Sequence, residues 1–181
     1  MNEQDNNKNA LLHASVAHNH VKIVKILIDE GANVDAKNDN GRTPIHEASY
    51  YGHQDVVKAL IDAGVNVDEK NILGNTPLHE ASYYGHQNVV KALIEAGANV
   101  NEKDNYGSTP LSCGTIQGHT DIVRILIESG ANVNEKNDYG STPLHGAAHE
   151  GHTDIFRILI ESGADLDAKD SYGSTPLNCA A

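Results

Sequence analysis

Apolar residues recur along this chain in a fixed pattern. In Asn88-Val89-Val90-Lys91-Ala92-Leu93-Ile94-Glu95, Val89, Val90, Ala92, Leu93 and Ile94 fall on one side of a helix of 3.6 residues per turn. Nearly the same stripe returns at Val56-Val57-Lys58-Ala59-Leu60-Ile61, at Ile122-Val123-Arg124-Ile125-Leu126-Ile127 and at Ile155-Phe156-Arg157-Ile158-Leu159-Ile160. Each stripe predicts one amphipathic helix. Upstream of each lies a shorter segment opened by Thr-Pro, as in Thr76-Pro77-Leu78-His79. Threonine is a good N-cap, and proline is pre-shaped for the first helical position, where no N–H is required. A first helix, closed by Gly85, therefore precedes the second. Downstream, Gly97 takes the left-handed position that ends a helix, and the polar stretch 101–108 turns around Gly107.

The period is 33 residues, set by the five Thr-Pro pairs ending at Pro44, Pro77, Pro110, Pro143 and Pro176. With each threonine as offset 0, units run 43–75, 76–108, 109–141 and 142–174. An atypical unit occupies 10–42 behind a polar leader, 1–9, and a further unit starts at 175–181. Units 43–75 and 76–108 are identical at 24 of 33 positions, a mark of internal duplication. Of 16 glycines, 14 stand at offsets 9, 21 and 31, where the chain must reverse. One unit cannot bury its stripe alone, but neighbours stacked in register can.

The motif Thr76-Pro77-Leu78-His79-Glu80-Ala81 on this period resembles the ankyrin repeat. Thr43-Pro44-Ile45-His46-Glu47-Ala48 repeats it with one conservative change. Gly52-His53 and Gly97-Ala98-Asn99-Val100-Asn101 continue the likeness, which covers residues 10–181. The resemblance implies an all-α ankyrin-repeat solenoid: a helix–turn–helix and a β-turn finger per repeat, with a concave face lined by the first helices. It also implies a protein–protein interaction module without catalysis. The alternative is a recruitment segment of a larger enzyme or host-directed effector whose active domain lies outside this chain. Asn101 and Asn134 resemble the asparagine modified by hypoxia-pathway hydroxylases in ankyrin loops. The acidic residue usual two positions earlier is here Asn99 or Asn132, which weakens that likeness.

Composition narrows the partners. A net charge of −12 argues against nucleic acid and acidic membrane surfaces. No apolar run approaches a membrane span and Met1 to Asn9 lack a secretory signal, so a cytoplasmic, monomeric protein is expected. With no Trp and one Phe, the core must be aliphatic.

Candidate chemistry thins out once the repeat is recognised. Nine of eleven histidines sit at offset 3 (His13, His46, His79, His145) or offset 10 (His20, His53, His86, His119, His152). Such ladders suit hydrogen bonding at helix ends, whereas a zinc site needs ligands that converge. The carboxylates at offset 19 (Asp29, Asp62, Glu95, Glu128, Glu161) read as solvated surface. Cys113 and Cys179, both at offset 4, read as passive thiols. No catalytic residue, metal, cofactor or small-molecule substrate is expected.

The tyrosines differ, since all seven occupy three offsets: Tyr50 and Tyr83 at 7, Tyr51 and Tyr84 at 8, Tyr106, Tyr139 and Tyr172 at 30. By resemblance, offsets 7 and 8 face the concave side and offset 30 the finger tip, the regions where ankyrin repeats contact partners. Tyrosine gives large amphipathic contact area at low entropic cost. Ile116, Gln117, His149 and Glu150 on the first helices, and Arg42, Ile72, Leu73 and Asn105 on the fingers, complete the candidate surface.

Three local expectations concern irregular units. In unit 10–42, Ala10-Leu11 replaces Thr-Pro and Asn19 replaces the helix-closing glycine, as suits an end cap. The segment from Thr175 stops just inside a first helix, as expected of a piece of a longer array. Gly114 lies inside a first helix, so this helix should exchange its amide hydrogens fastest among the internal repeats.

Overall fold

The computed structural model describes residues 3–179, with backbone and side chains from Asn9 onward. Among the described residues the fold is eleven α-helices and no strand. They are α1 (Glu3–Ala17), α2 (Val21–Asp29), α3 (Pro44–Tyr51), α4 (Gln54–Asp62), α5 (Pro77–Tyr83), α6 (Gln87–Glu95), α7 (Pro110–Ile116), α8 (Thr120–Glu128), α9 (Pro143–His149), α10 (Thr153–Glu161) and α11 (Pro176–Cys179). The first and second helix of each period alternate as the Thr-Pro and stripe pattern predicts. One departure is α1, which begins upstream of Ala10, because no Thr-Pro cap stands there to start it.

The helices gather into two compact units, residues 1–81 with 88–98, and residues 82–87 with 99–181. In the first unit α1 packs on α2 and α3, α3 on α4, and α2 on α4. In the second, α7 packs on α8 and α9, α9 on α10 and α11, and α8 on α10. Within each unit, then, first helices stack on first helices and second on second, as repeats in register require.

The core is aliphatic: Leu12, Ile45, Leu60, Leu78, Leu93, Leu111, Ile122, Leu126, Leu144, Ile155 and Leu159 are fully buried. The buried arc of each second helix is narrower than the full apolar stripe. Offsets 13, 14 and 17 are buried in units 43–75, 76–108 and 109–141, but Ile61, Ile94 and Ile127 at offset 18 stay half-exposed. At about 100° per residue, offset 18 lies at the edge of that arc. On α2, Ile23 and Ile26 are exposed although Val56 and Ala59, one period on, are buried.

Helix ends follow the local chemistry. At the end of α6, Gly97 has φ 90°, and Ala98 N donates to Leu93 O at 3.0 Å. All 14 glycines at offsets 9, 21 and 31 have positive φ, and Asn19 (φ 57°) is the sole described non-glycine residue that does. Asparagine enters that region more readily than other non-glycine residues.

Gly114 stands, buried, inside α7. Its offset carries Ala48, Ala81 and Ala147 in other repeats. A Cβ there would meet Ile122 Cγ2 at 3.2 Å, a tight but apolar contact. Ala147 and Ile155, the equivalent pair one repeat on, are both buried, so that combination fits this scaffold. Gly114→Ala is therefore expected to stabilise the protein by about 0.5–1 kcal/mol. The urea midpoint should rise and amide exchange in α7 should slow. A lower midpoint would mean that Ile122 cannot yield.

Candidate functional site

The histidines are absorbed by the scaffold. Thr43 N donates to His46 Nδ1 at 3.2 Å, with Thr43 Oγ1 2.8 Å from the same nitrogen, and His46 Nε2 reaches Asn75 O at 3.0 Å. A backbone N–H must donate, so Nδ1 accepts and the proton sits on Nε2. Burial lowers the His46 pKa to about 4; the bond to Asn75 opposes this and the Arg42 charge adds to it. Thr76 with His79 and Thr142 with His145 repeat the cap. At His13 the cap is missing. Ala10 lies inside α1, so no free N–H meets Nδ1, which is buried without a partner, while Nε2 turns to Ala36 O at 2.8 Å.

Offset-10 histidines join successive repeats. Nε2 of His53, His119 and His152 reaches Ala17 O, Tyr83 O and Ile116 O, the last carbonyls of the preceding first helices. Glycine at offset 9 leaves room for the ring: a Cβ on Gly118 would lie 2.8 Å from His152 Cε1. Asn101 and Asn134 are staples of the same kind. Asn101 Nδ2 donates to Gly130 O and its Oδ1 accepts from Asn132 N; Asn134 does the same with Gly163 O and Asp165 N.

Each finger is built on the side chain at offset 28. Asn38 Oδ1 accepts from Asn40 N and Arg42 N, and Asn71, Asp104, Asn137 and Asp170 each accept two backbone N–H groups in the same way. Adjacent fingers are then tied by backbone bonds: Ile72 N to Asn40 O, Asp138 N to Tyr106 O, and Ser171 N to Tyr139 O. Lysines at offset 27 lace the loops beneath. Lys37 Nζ meets Glu69 at 2.6 Å and Lys103 Nζ meets Glu135 at 2.7 Å. Those hydrogen bonds hold both carboxyls below their usual range.

On this frame the candidate residues separate. Tyr51, Tyr83 and Tyr84, at the ends of α3 and α5, are exposed, and Tyr50 is half-buried. Tyr50 and Tyr51 pack edge to face at 4.8 Å between centroids, and Tyr83 and Tyr84 do so at 5.0 Å. Ile116, Gln117, His149 and Glu150 are exposed at the ends of α7 and α9, with His149 Nδ1 2.9 Å from Glu150 Oε1. On the fingers Ile72, Leu73, Asn105, Tyr106, Tyr139 and Tyr172 are exposed. Tyr50, Tyr51, Ile72 and Leu73 belong to the first unit, and the second holds the rest except Arg42.

Arg42 is turned inward. Its Nη2 donates to Glu80 Oε1 at 2.9 Å, Nη1 lies 4.0 Å from Glu47 Oε1, and the guanidinium covers the Tyr50 ring at 4.7 Å. Glu80 is only 4% exposed; burial pushes its carboxyl up, and Arg42 pulls it back. The pair joins residues 38 positions apart, in different repeats, so no local pattern announces it. The carboxylates alone carry a signal, nine residues upstream: Asn38 donates to Glu47 and Asn71 to Glu80, whereas Asp104 and Asp170 precede Cys113 and Cys179. Both carboxylates at offset 4 have an amide nine residues upstream, although Asn137 precedes Gly146.

No group of three or more His, Cys, Asp or Glu among the described residues could hold a metal ion. No described helix is long and apolar enough to cross a membrane.

Comparison with known proteins matches this sequence to one family. Residues 1–71 and 63–137 fit a family model described as ankyrin repeats (3 copies), and residues 126–180 fit one described as ankyrin repeats (many copies). No curated protein matches the chain. Between them the two models span residues 1–180, repeat by repeat, and the chain belongs to the ankyrin-repeat family.

Proposed function

We propose that this chain binds a protein partner through the ends of its first helices and the tips of its fingers, and performs no reaction itself. Ankyrin repeats are in general protein–protein interaction modules. The observation that carries the finer reading is the division of labour among repeated side chains. Histidines, glycines, prolines and loop asparagines are occupied in caps, reversals and staples between repeats. The tyrosines at offsets 8 and 30 remain exposed, and large exposed aromatic side chains are the usual anchors of protein interfaces.

Exposed Ile72 and Leu73 extend the surface in the first unit, and Ile116 extends it in the second. Arg42 contributes indirectly, by fixing the Tyr50 ring. On the second helices, exposed Lys58, Asp62, Arg124 and Glu128 keep the chain solvated.

The test uses a partner retained by the immobilised intact chain. Replacing Tyr50, Tyr51, Tyr83 and Tyr84 together by alanine should weaken its binding about thirtyfold, roughly 2 kcal/mol. Far-ultraviolet circular dichroism should be unchanged. Undiminished binding to the folded variant would reject the surface.

A further inference from the structure

The fingers of the second unit hold a group that the scaffold leaves unused. Asp138 stands at a finger tip, its backbone N donating to Tyr106 O at 3.0 Å, so it lies beside one tyrosine in space and another, Tyr139, in sequence. Its Oδ1 rests against Gly107, 2.7 Å from where a Cβ would be. Asp138 is exposed, and its carboxylate makes no ion pair or hydrogen bond among the described residues. Tyr106 and Tyr139 are 51% and 56% exposed, and neither ring has a described partner.

Lysines run nearby, but they are committed elsewhere. Lys103 Nζ pairs with Glu135 and donates to Lys136 O at 3.0 Å, and Lys136 Nζ donates to Lys169 O at 2.8 Å. The finger row therefore carries an exposed carboxylate on the residue that bonds Tyr106 through its backbone and precedes Tyr139, on a chain of net charge −12. Elsewhere the same protein completes this chemistry internally: Arg42 lies over the Tyr50 ring with its Nη2 on the Glu80 carboxylate.

We propose that the Tyr106–Asp138–Tyr139 finger row receives an arginine side chain from an extended, basic segment of the partner, with the guanidinium stacked on a tyrosine and paired with Asp138. This inference rests on the reading that the fingers contact a partner. Arginine fits better than lysine, because its planar guanidinium both stacks on aromatic faces and presents a fork to a carboxylate. An extended segment fits because the tyrosine recurs once per finger along a register fixed by backbone bonds, with Tyr172 beyond Ser171 continuing the row.

The probe is an amidated Gly-Arg-Ser repeat peptide, with a citrulline twin of the same shape and no charge. Binding to the full chain is read from the chemical shifts of the amides of residues 105–107 and 138–140. The arginine peptide should bind about tenfold more tightly than the citrulline twin. Asp138→Asn should weaken it about threefold to fivefold, and Tyr106→Ala with Tyr139→Ala about tenfold. Asp121→Asn removes the same charge from exposed α8 and should change nothing, which separates a site from the pull of an acidic surface. Equal binding of the two peptides, or an equal effect of Asp121→Asn and Asp138→Asn, would overturn the proposal. If it fails while Tyr106→Ala with Tyr139→Ala still weakens binding of the native partner, the chemistry assigned to the partner is wrong and the finger surface stands.

Discussion

Replacing Arg42 by methionine should destabilise the protein by about 3 kcal/mol, the low end for breaking a buried ion pair, since Arg42 keeps some access to water. The cost arises at Glu80, which is 4% exposed and would keep only the Asn71 amide, at 3.1 Å, as a described side-chain partner. The Tyr50 ring would also lose its cover. Arg42→Met with Glu80→Gln removes the stranded charge and should recover most of the loss, so the two substitutions must couple strongly in a double-mutant cycle. pH supplies a second readout. A carboxyl whose folded pKa is raised destabilises the fold at high pH and is relieved as it protonates, so the Arg42→Met deficit should shrink as pH falls. Additive single effects in urea unfolding would show that the pair is not coupled.

Acid should expose the offset-3 cap with comparable force. His46 has its pKa lowered from 6.5 to about 4, so between those values the unfolded chain binds a proton that the folded chain refuses. Stability from this group is complete above pH 6.5 and drains away as pH falls towards 4. The full shift corresponds to about 3 kcal/mol. Protonation would put a hydrogen on Nδ1, where Thr43 N already donates. Glu69 and Glu135, whose pKa values are lowered, act further down: their contribution is lost only below the usual carboxyl range. His46→Gln keeps an acceptor for Thr43 N but has nothing to titrate. Between pH 7 and pH 4 its unfolding free energy should therefore fall by about 3 kcal/mol less than that of the parent. Parallel curves would show that His46 does not carry the acid response.

Much of this is legible in the sequence, for a physical reason. Thr-Pro fixes where a first helix starts, glycine at offsets 9, 21 and 31 fixes where the chain reverses, and the stripe fixes which face is buried. Each is a local rule, and repetition makes it redundant. Asn19 shows how far such rules reach: its left-handed backbone follows from its place in the period. What stayed hidden depends on contacts between repeats. Arg42 reads in sequence as a finger residue of the candidate surface, yet its guanidinium lies inside, on Glu80. His13 carries the histidine of the cap but lacks its threonine, so it bonds Ala36 and leaves Nδ1 unmet. The half-exposed isoleucines at offset 18 were equally hidden, because apolar character alone does not mark the edge of a buried arc. For the candidate surface, sequence supplied the tyrosines, while the open carboxylate of Asp138 emerged only from the register of the fingers.

Amide hydrogen exchange of the chain, free and bound to its retained partner, tests most directly where recognition lies. Protection should appear at residues 50–51 and 83–84 and at finger residues 105–106 and 138–139, with the second helices unchanged. Protection confined to the outward faces of α4 and α8, around Lys58, Asp62, Arg124 and Glu128, would contradict the assignment of binding to the tyrosine-bearing surface.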